Sequence, residues 1–354
     1  MFSIFRRMAN NANASTSSSD GTNEPSSSSS SSPSSVPLAV LNKSRIKLGW
    51  AEKRGKRYDQ EDTICLIPSF MNSKDCHLFC VFDGHGGAKT AEFAASHIAP
   101  FLADSLRVPP SEMKEINYDP IIFRERVFDA FNSTFRNLQQ SLSEQKFDDG
   151  ATALVVLIDQ KYVFVANCGD CRAVLGNKNG TVKQLSLDHK PTDITEFQRV
   201  FSAGGFITEE LRVNGILAVT RSLGDIQLQP HVTFEPDLSF HVLDRDDSFL
   251  ILACDGVWDV VSNQRASMLV QESSSPHNAA IRIRDHASSL GSTDNISVVV
   301  VSLTHPSFGD VRQSVSGEIK TSSDEGISSL DEHDGNRSPR RLNKLRRPRS
   351  KIGR

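Results

Sequence analysis

The chain of 354 residues carries 40 basic and 43 acidic side chains, a formal charge of −3, and hydrophobic and charged fractions of 38% and 23%. This is the composition of an ordinary soluble protein. No apolar run approaches the roughly 20 residues that a membrane-crossing helix needs, and six cysteines in a chain of this length do not indicate a disulfide framework. The near balance of charge conceals a basic tail from Asn336 to Arg354 that contains no acid, so the average says little about partners.

Residues 1–44 are low in complexity, with serine runs between Ser26 and Ser35. Such a segment buries too little apolar surface to offset the entropy of ordering it, and disorder is expected there. No continuous apolar stretch with a small-residue cleavage site is present, so a secretory signal is not expected. Phe2, Phe5, Arg6 and Arg7 ahead of Ser- and Asn-rich sequence make mitochondrial targeting a minor alternative. The globular part is expected over residues 45–304, followed by a disordered tail over 305–354.

Within the globular part, His77 to Phe82 is a short apolar run ending at Asp83-Gly84. Helical periodicity follows from Ala88 to Leu106 and from Pro120 to Gln145, where Val127, Phe131, Phe135, Leu138 and Leu142 form a core-facing stripe. Ala153 to Ile158 and Tyr162 to Ala166 are β-branched and aromatic runs joined by Asp159-Gln160-Lys161. Cys171 to Leu175 comes next, after Asn167-Cys168-Gly169-Asp170, so a run of antiparallel hairpins is expected with Asp170 in a hairpin turn. A helix over Pro191 to Ala203 stops at Gly204. Phe249 to Ala253 is a buried strand, Ser262 caps a helix running to about Glu272, and Pro276 opens another that ends near Gly291. Ile296 to Leu303 is the last buried strand. The short spacing of strands leaves no room for crossover helices. An α+β fold of antiparallel sheets with helices on their faces is therefore expected over a doubly wound parallel sheet. A zinc or redox use of Cys168-x-x-Cys171 is a minor reading, since no second pair stands at zinc-like spacing.

The acids carry the chemical signal. Asp83 and Asp255 each follow an apolar strand and precede a glycine, Asp294 precedes Ile296 to Leu303, and Glu61 and Asp62 precede the apolar Ile64 to Ile67. With Asp170, these carboxylates sit at the rim of a core, where they are costly unless paired and repel one another unless a cation lies between them. Oxygen donors without a His/Cys cluster select hard ions such as Mg²⁺ or Mn²⁺. In Asp83-Gly84-His85-Gly86-Gly87 the glycines let backbone approach an ion or phosphate, and the Gly84 carbonyl is a candidate ligand. The helix from Ala88 would present N–H groups to a nearby anion. Arg57 is either a phosphate grip or a surface arginine of the basic stretch Lys53 to Arg57. His85 is either a proton donor to a leaving alkoxide or a turn histidine bonded to a neighbouring carboxylate.

Taken together, the segments R-Y-D-Q-E-D (Arg57 to Asp62), V-F-D-G-H-G-G (Val81 to Gly87), G-A-T-A (Gly150 to Ala153), V-A-N-C-G-D-C-R (Val165 to Arg172), L-A-V-T-R-S-L-G-D (Leu217 to Asp225), L-A-C-D-G-V-W-D (Leu252 to Asp259) and S-T-D-N-I-S (Ser292 to Ser297) resemble, in order, the protein phosphatase 2C (PP2C, PPM) family of metal-dependent protein serine/threonine phosphatases. The resemblance covers about Lys47 to Leu303. It implies a central sandwich of two antiparallel β-sheets flanked by α-helices on both outer faces, and a binuclear Mn²⁺/Mg²⁺ centre at one end. By that resemblance Asp83 bridges the two ions, Asp255 and Asp294 complete one site, and Glu61 with the Gly84 carbonyl completes the other. Asp170 and Asp259, with Asp255, match residues that hold a weaker third ion in some members. Arg57 matches the phosphate-binding arginine and His85 the proposed general acid. The one departure in these motifs is Cys171, where serine commonly follows the aspartate.

The implied partners are phosphoprotein substrates, with no dedicated nucleic-acid or membrane partner, and a monomer is expected. The competing readings are a catalytically silent regulatory or scaffold protein, against which the intact Asp83, Asp255 and Asp294 speak, and another two-metal phosphoesterase such as a nuclease, which would recruit histidine ligands or a basic groove. The C-terminal basic cluster, with Ser338-Pro339 as a candidate phosphorylation site, points to a cytoplasmic and/or nuclear location.

Overall fold

The computed structural model describes residues 46–107 and 120–303. The segments expected to be disordered, 1–44 and 305–354 with the basic cluster, lie outside the described residues. The elements run β1 (Ile46–Lys53), β2 (Thr63–Pro68), β3 (Cys76–Phe82), β4 (Gly84–His85), α1 (Lys89–Ser105), α2 (Pro120–Gln145), β5 (Gly150–Ala151), β6 (Ala153–Asp159), β7 (Tyr162–Cys168), β8 (Arg172–Asn177), β9 (Val182–Gln184), α3 (Ile194–Ser202), β10 (Leu223–Gly224), β11 (Asp237–Val242), β12 (Asp247–Ala253), α4 (Asp255–Trp258), α5 (Asn263–Gln271), α6 (Pro276–Ser289) and β13 (Ile296–Leu303). None of the described helices is long and apolar enough to cross a membrane.

Two five-stranded antiparallel sheets, ordered β1-β13-β12-β8-β9 and β11-β7-β6-β3-β2, form the centre. The interior strands β3, β6, β7, β12 and β13 are buried on both faces because both faces are covered. The period of two along a strand assigns each side chain to a layer. In β3, Phe79 and Val81 pack between the sheets with Val299, Val301, Leu250 and Leu252 of the opposite sheet. Leu78, Cys80 and Phe82 point the other way and pack under α1 and α2 with Ile98, Leu102, Phe131 and Phe135. In β13 the alternate residues Ile296, Val298 and Val300 pack under α5 and α6 with Leu269, Ala280 and Ile283. Three apolar layers therefore separate helices, sheet, sheet and helices: the α+β sandwich implied by the sequence.

The pairing registers bring particular strand ends together. Thr63 opposes Phe82, and Ala153 opposes Cys168, so the start of β2, the end of β3, the start of β6 and the end of β7 share one edge. In the other sheet Ala253 opposes Arg172 and Val298, and Lys53 opposes Ile296, which places the end of β12 beside the starts of β8 and β13 and the end of β1. The link from β7 to β8 joins these two edges.

That link corrects one expectation. Tyr162 to Cys168 and Arg172 to Asn177 are not a hairpin: β7 pairs with β6 and β11, β8 with β12 and β9, in different sheets. Gly169-Asp170-Cys171 is a corner between the sheets, with Gly169 at φ +112. Cys168 accordingly packs in the helix-facing layer and Cys171 between the sheets. All six thiols are free and buried. A second difference is the start of α3, at Ile194 instead of Pro191. The Asp193 carboxylate accepts from the N–H groups of Thr195 and Glu196 and caps the helix there.

The close approach of β1 to α6 is testable. A Cβ on Gly49 would lie 2.1 Å from the backbone nitrogen of His277 and 2.2 Å from the Pro276 carbonyl carbon. Gly49→Ala is expected to cost about 1–3 kcal/mol through overpacking, measured as a lower urea midpoint. An unchanged midpoint would contradict tight seating of α6 on β1.

Candidate metal centre

The shared edge of the two sheets collects acids from four connections. Asp83 leaves β3, Asp170 sits on the β7–β8 corner and Asp255 begins α4 after β12. One carboxylate oxygen of each lies within 4.8 Å of the others. Asp62, just before β2, forms a second such group with Asp83 and Cys254. The backbone at Asp83 is clamped by Thr152 of the G-A-T-A segment, which donates its N–H to the Asp83 carbonyl (2.9 Å) and accepts the Asp83 N–H at Oγ1 (3.3 Å). Asp62 Oδ2 accepts from Ser297 Oγ at 2.7 Å.

Burial, and then the neighbouring carboxylates, push these acids upward. Asp83 rises well above the carboxylate range, with Asp62, Asp255, Asp170 and Asp294 all contributing. Asp255 rises to about 8 through burial and the charges of Asp170, Asp259 and Asp294. Asp62 and Asp170 each rise to about 6, the former held back by Ser297 and the latter by Lys190. Asp62 Oδ1 is buried with no hydrogen-bond partner. The Cys254 thiol, raised by burial and the surrounding acids, stays protonated and is a poor ligand. An oxygen donor set with an orphaned carboxylate oxygen fits a hard divalent cation.

The other predicted site residues surround this core of acids. Gly84 lies against Glu61, since a Cβ there would come within 2.4 Å of the Glu61 carbonyl oxygen. The Glu61 carboxylate is not a member of either acid group; Asp62 is. Arg57 Nη2 donates to Asp294 Oδ2 at 2.7 Å while half of its side chain stays exposed. Asn295 accepts the Glu61 N–H (2.8 Å) and donates to the carbonyls of Arg54 and Asp59 (2.8 and 2.9 Å). It thereby ties the loop bearing Arg57 and Glu61 to the start of β13. His85 Nε2 lies 2.7 Å from Asp225 Oδ2, a carboxylate that also accepts from Ser222 Oγ. Asp259, exposed at the rim, meets the Lys190 ammonium at 2.8 Å.

The N-terminus of α1 does face an anion, but the anion is the chain's own. Asp149 Oδ2 accepts the Lys89 N–H (2.8 Å) and Asp149 Oδ1 accepts from Thr90 Oγ1 (2.7 Å), which gives that helix end an anionic partner. Asp149, Lys190, Asp225 and Asn295 were not singled out in the sequence. Asp149, Asp225 and Asn295 lie in or beside a motif — Asp149 just before G-A-T-A, Asp225 closing L-A-V-T-R-S-L-G-D — yet motif membership does not reveal which partner each meets, and Lys190 lies outside every motif.

A family model described as Protein phosphatase 2C matches residues 46–296. Among similar proteins, Probable protein phosphatase 2C 69 of Arabidopsis thaliana is 36% identical over 259 residues, 73% of this chain and 70% of its own. Probable protein phosphatase 2C 52 of Oryza sativa subsp. japonica is 36% identical over 262 residues, again 73% of this chain, and the chain spans about half of that relative's length (51%). A solved structure titled as a C. elegans sex determining protein is 29% identical with a TM-score of 0.64, covering 74% of this chain and 65% of that one. A serine-threonine phosphatase 2C from Toxoplasma gondii, at 23% identity, TM-score 0.61 and coverages of 74% and 96%, shares the fold.

The electrostatics of the rim set a pH dependence. Carboxyls whose folded-state pKa is raised stabilise the fold at low pH and lose that contribution as pH climbs through the folded-state value. For Asp62 and Asp170 the loss begins above the ordinary carboxylate value of 3.8 and is complete by about 6, and for Asp255 it continues to about 8. In EDTA the protein should therefore melt lower at pH 8 than at pH 5.5. Asp255→Asn should raise the pH 8 midpoint by at least about 3 °C, the equivalent of roughly 1 kcal/mol in a domain of this size. Calorimetry showing no gain would count against mutual repulsion at the rim.

Proposed function

Because this chain belongs to the protein phosphatase 2C family, we propose that it is a metal-dependent phosphatase acting on phosphoserine and phosphothreonine of protein substrates. The observation that carries this reading is the convergence of Asp83, Asp170 and Asp255 within 4.8 Å at the rim, beside an Asp62 oxygen that lacks a partner. Asp83, Asp255, Asp294, Glu61 and the Gly84 carbonyl would hold two Mn²⁺ or Mg²⁺ ions, which would supply a water of lowered pKa and neutralise the phosphoryl charge.

The chain's own residues do the rest. Arg57 reaches the rim from an exposed loop and exchanges part of its pairing with Asp294 for two phosphate oxygens. His85, oriented by Asp225, delivers the proton required by the departing serine or threonine oxygen. No thiol nucleophile is needed, and the six cysteines are all buried.

Hydrolysis of a phosphoserine peptide should depend on added Mn²⁺ and stop in EDTA, and Asp255→Asn should lower kcat by at least about 100-fold, as loss of a charge-stabilising group does elsewhere. Activity that persists in EDTA or in the variant would sink the assignment. Asp225→Asn should lower kcat roughly 10-fold with little change in KM. A wild-type kcat in this variant would count against a His85 proton donor oriented by Asp225.

A further inference from the structure

The pair Asp170 and Asp259, expected from the family resemblance to hold a loosely bound third ion, already has a cation between its members. Lys190 Nζ lies 2.8 Å from Asp259 Oδ1 and 3.4 Å from Asp170 Oδ2. The lysine does not dangle from a free surface. The His189 N–H donates to the Gly169 carbonyl (3.0 Å), and the Gly169 N–H donates to His189 Nδ1 (3.1 Å). The Thr220 N–H donates to the His189 carbonyl and the Asp193 N–H to the Lys190 carbonyl, each at 3.0 Å. The segment is thus stapled to the same corner that carries Asp170, and the ammonium is delivered to the rim by backbone geometry. Burial favours the neutral amine, but the carboxylates of Asp170 and Asp259 outweigh it and keep the group charged.

We propose that Lys190 is a resident cation that fills the third position of the centre, holding Asp170 and Asp259 in place and limiting the protein to two divalent ions. The inference rests on the metal-centre reading above. A divalent ion at the same place would have to displace the ammonium from both carboxylates and sit beside its positive charge. Lys190 is then a positioning residue: it contacts the carboxylates of Asp170 and Asp259 and sets how many metal ions the acids can collect.

Equilibrium dialysis of the full chain against Mn²⁺ tests this without reference to turnover, with circular dichroism in the same buffer to report folding. Wild type and Lys190→Arg should take up two ions. Lys190→Gln and Lys190→Met should take up a third, with a dissociation constant at least about tenfold below any third site in wild type, and Asp259→Asn added to either should abolish it. Three comparably tight ions in wild type would overturn the proposal without any variant, as would a count of two in every folded variant. In both cases the metal-centre reading would stand. Uptake of no Mn²⁺ by wild type would overturn that reading and this inference with it.

Discussion

Mutual repulsion among desolvated carboxylates governs this protein. Asp62, Asp83, Asp170 and Asp255 are brought to one rim of a packed sandwich, where burial raises every one of them, Asp62, Asp170 and Asp255 further raise Asp83, and Asp170 further raises Asp255. Such a cluster is stable only if protons or cations neutralise it. The need for that neutralisation turns an otherwise ordinary sandwich end into a site. It also explains why cationic and hydroxyl groups are found touching the acids: Arg57 on Asp294, Lys190 on Asp170 and Asp259, Ser297 on Asp62.

The sandwich supplies the rigidity that such a cluster requires. Strands apolar on both faces can only be satisfied between layers, so β3, β12 and β13 are fixed at interior positions of their sheets. Their termini cannot drift relative to one another without opening three apolar layers. Because the sheets are antiparallel, the end of β12 and the start of β13 meet at the same edge. Residues as far apart in sequence as Arg57 and Asp294, separated by 237 positions, come into hydrogen-bond contact.

Around the acids lies a ring of polar groups that hold other groups. Thr152 fixes the Asp83 backbone, Asn295 fastens the loop of Arg57 and Glu61, Asp225 orients His85, and Asp149 accepts from the start of α1. Buried polar networks of this kind are effective only when every member is satisfied. Among the described residues, the Asp62 oxygen at the centre of the cluster is a conspicuous exception.

The sequence by itself determined the element types, several of their boundaries and the identity of the acids. Hydrophobic period, a capping serine at Ser262 and a proline at Pro276 act over three or four residues, and the chain carries them wherever it goes. The seven ordered motifs also determined the family. Only the tertiary structure decided that β7 and β8 belong to different sheets, that Asp62 and not Glu61 joins the clustered oxygens, that Asp149 fills the helix end, and that Lys190 stands between Asp170 and Asp259. Each of these depends on which distant segments share an edge. That is set by the burial of whole strand faces and by ladder register, and a local pattern holds no record of either.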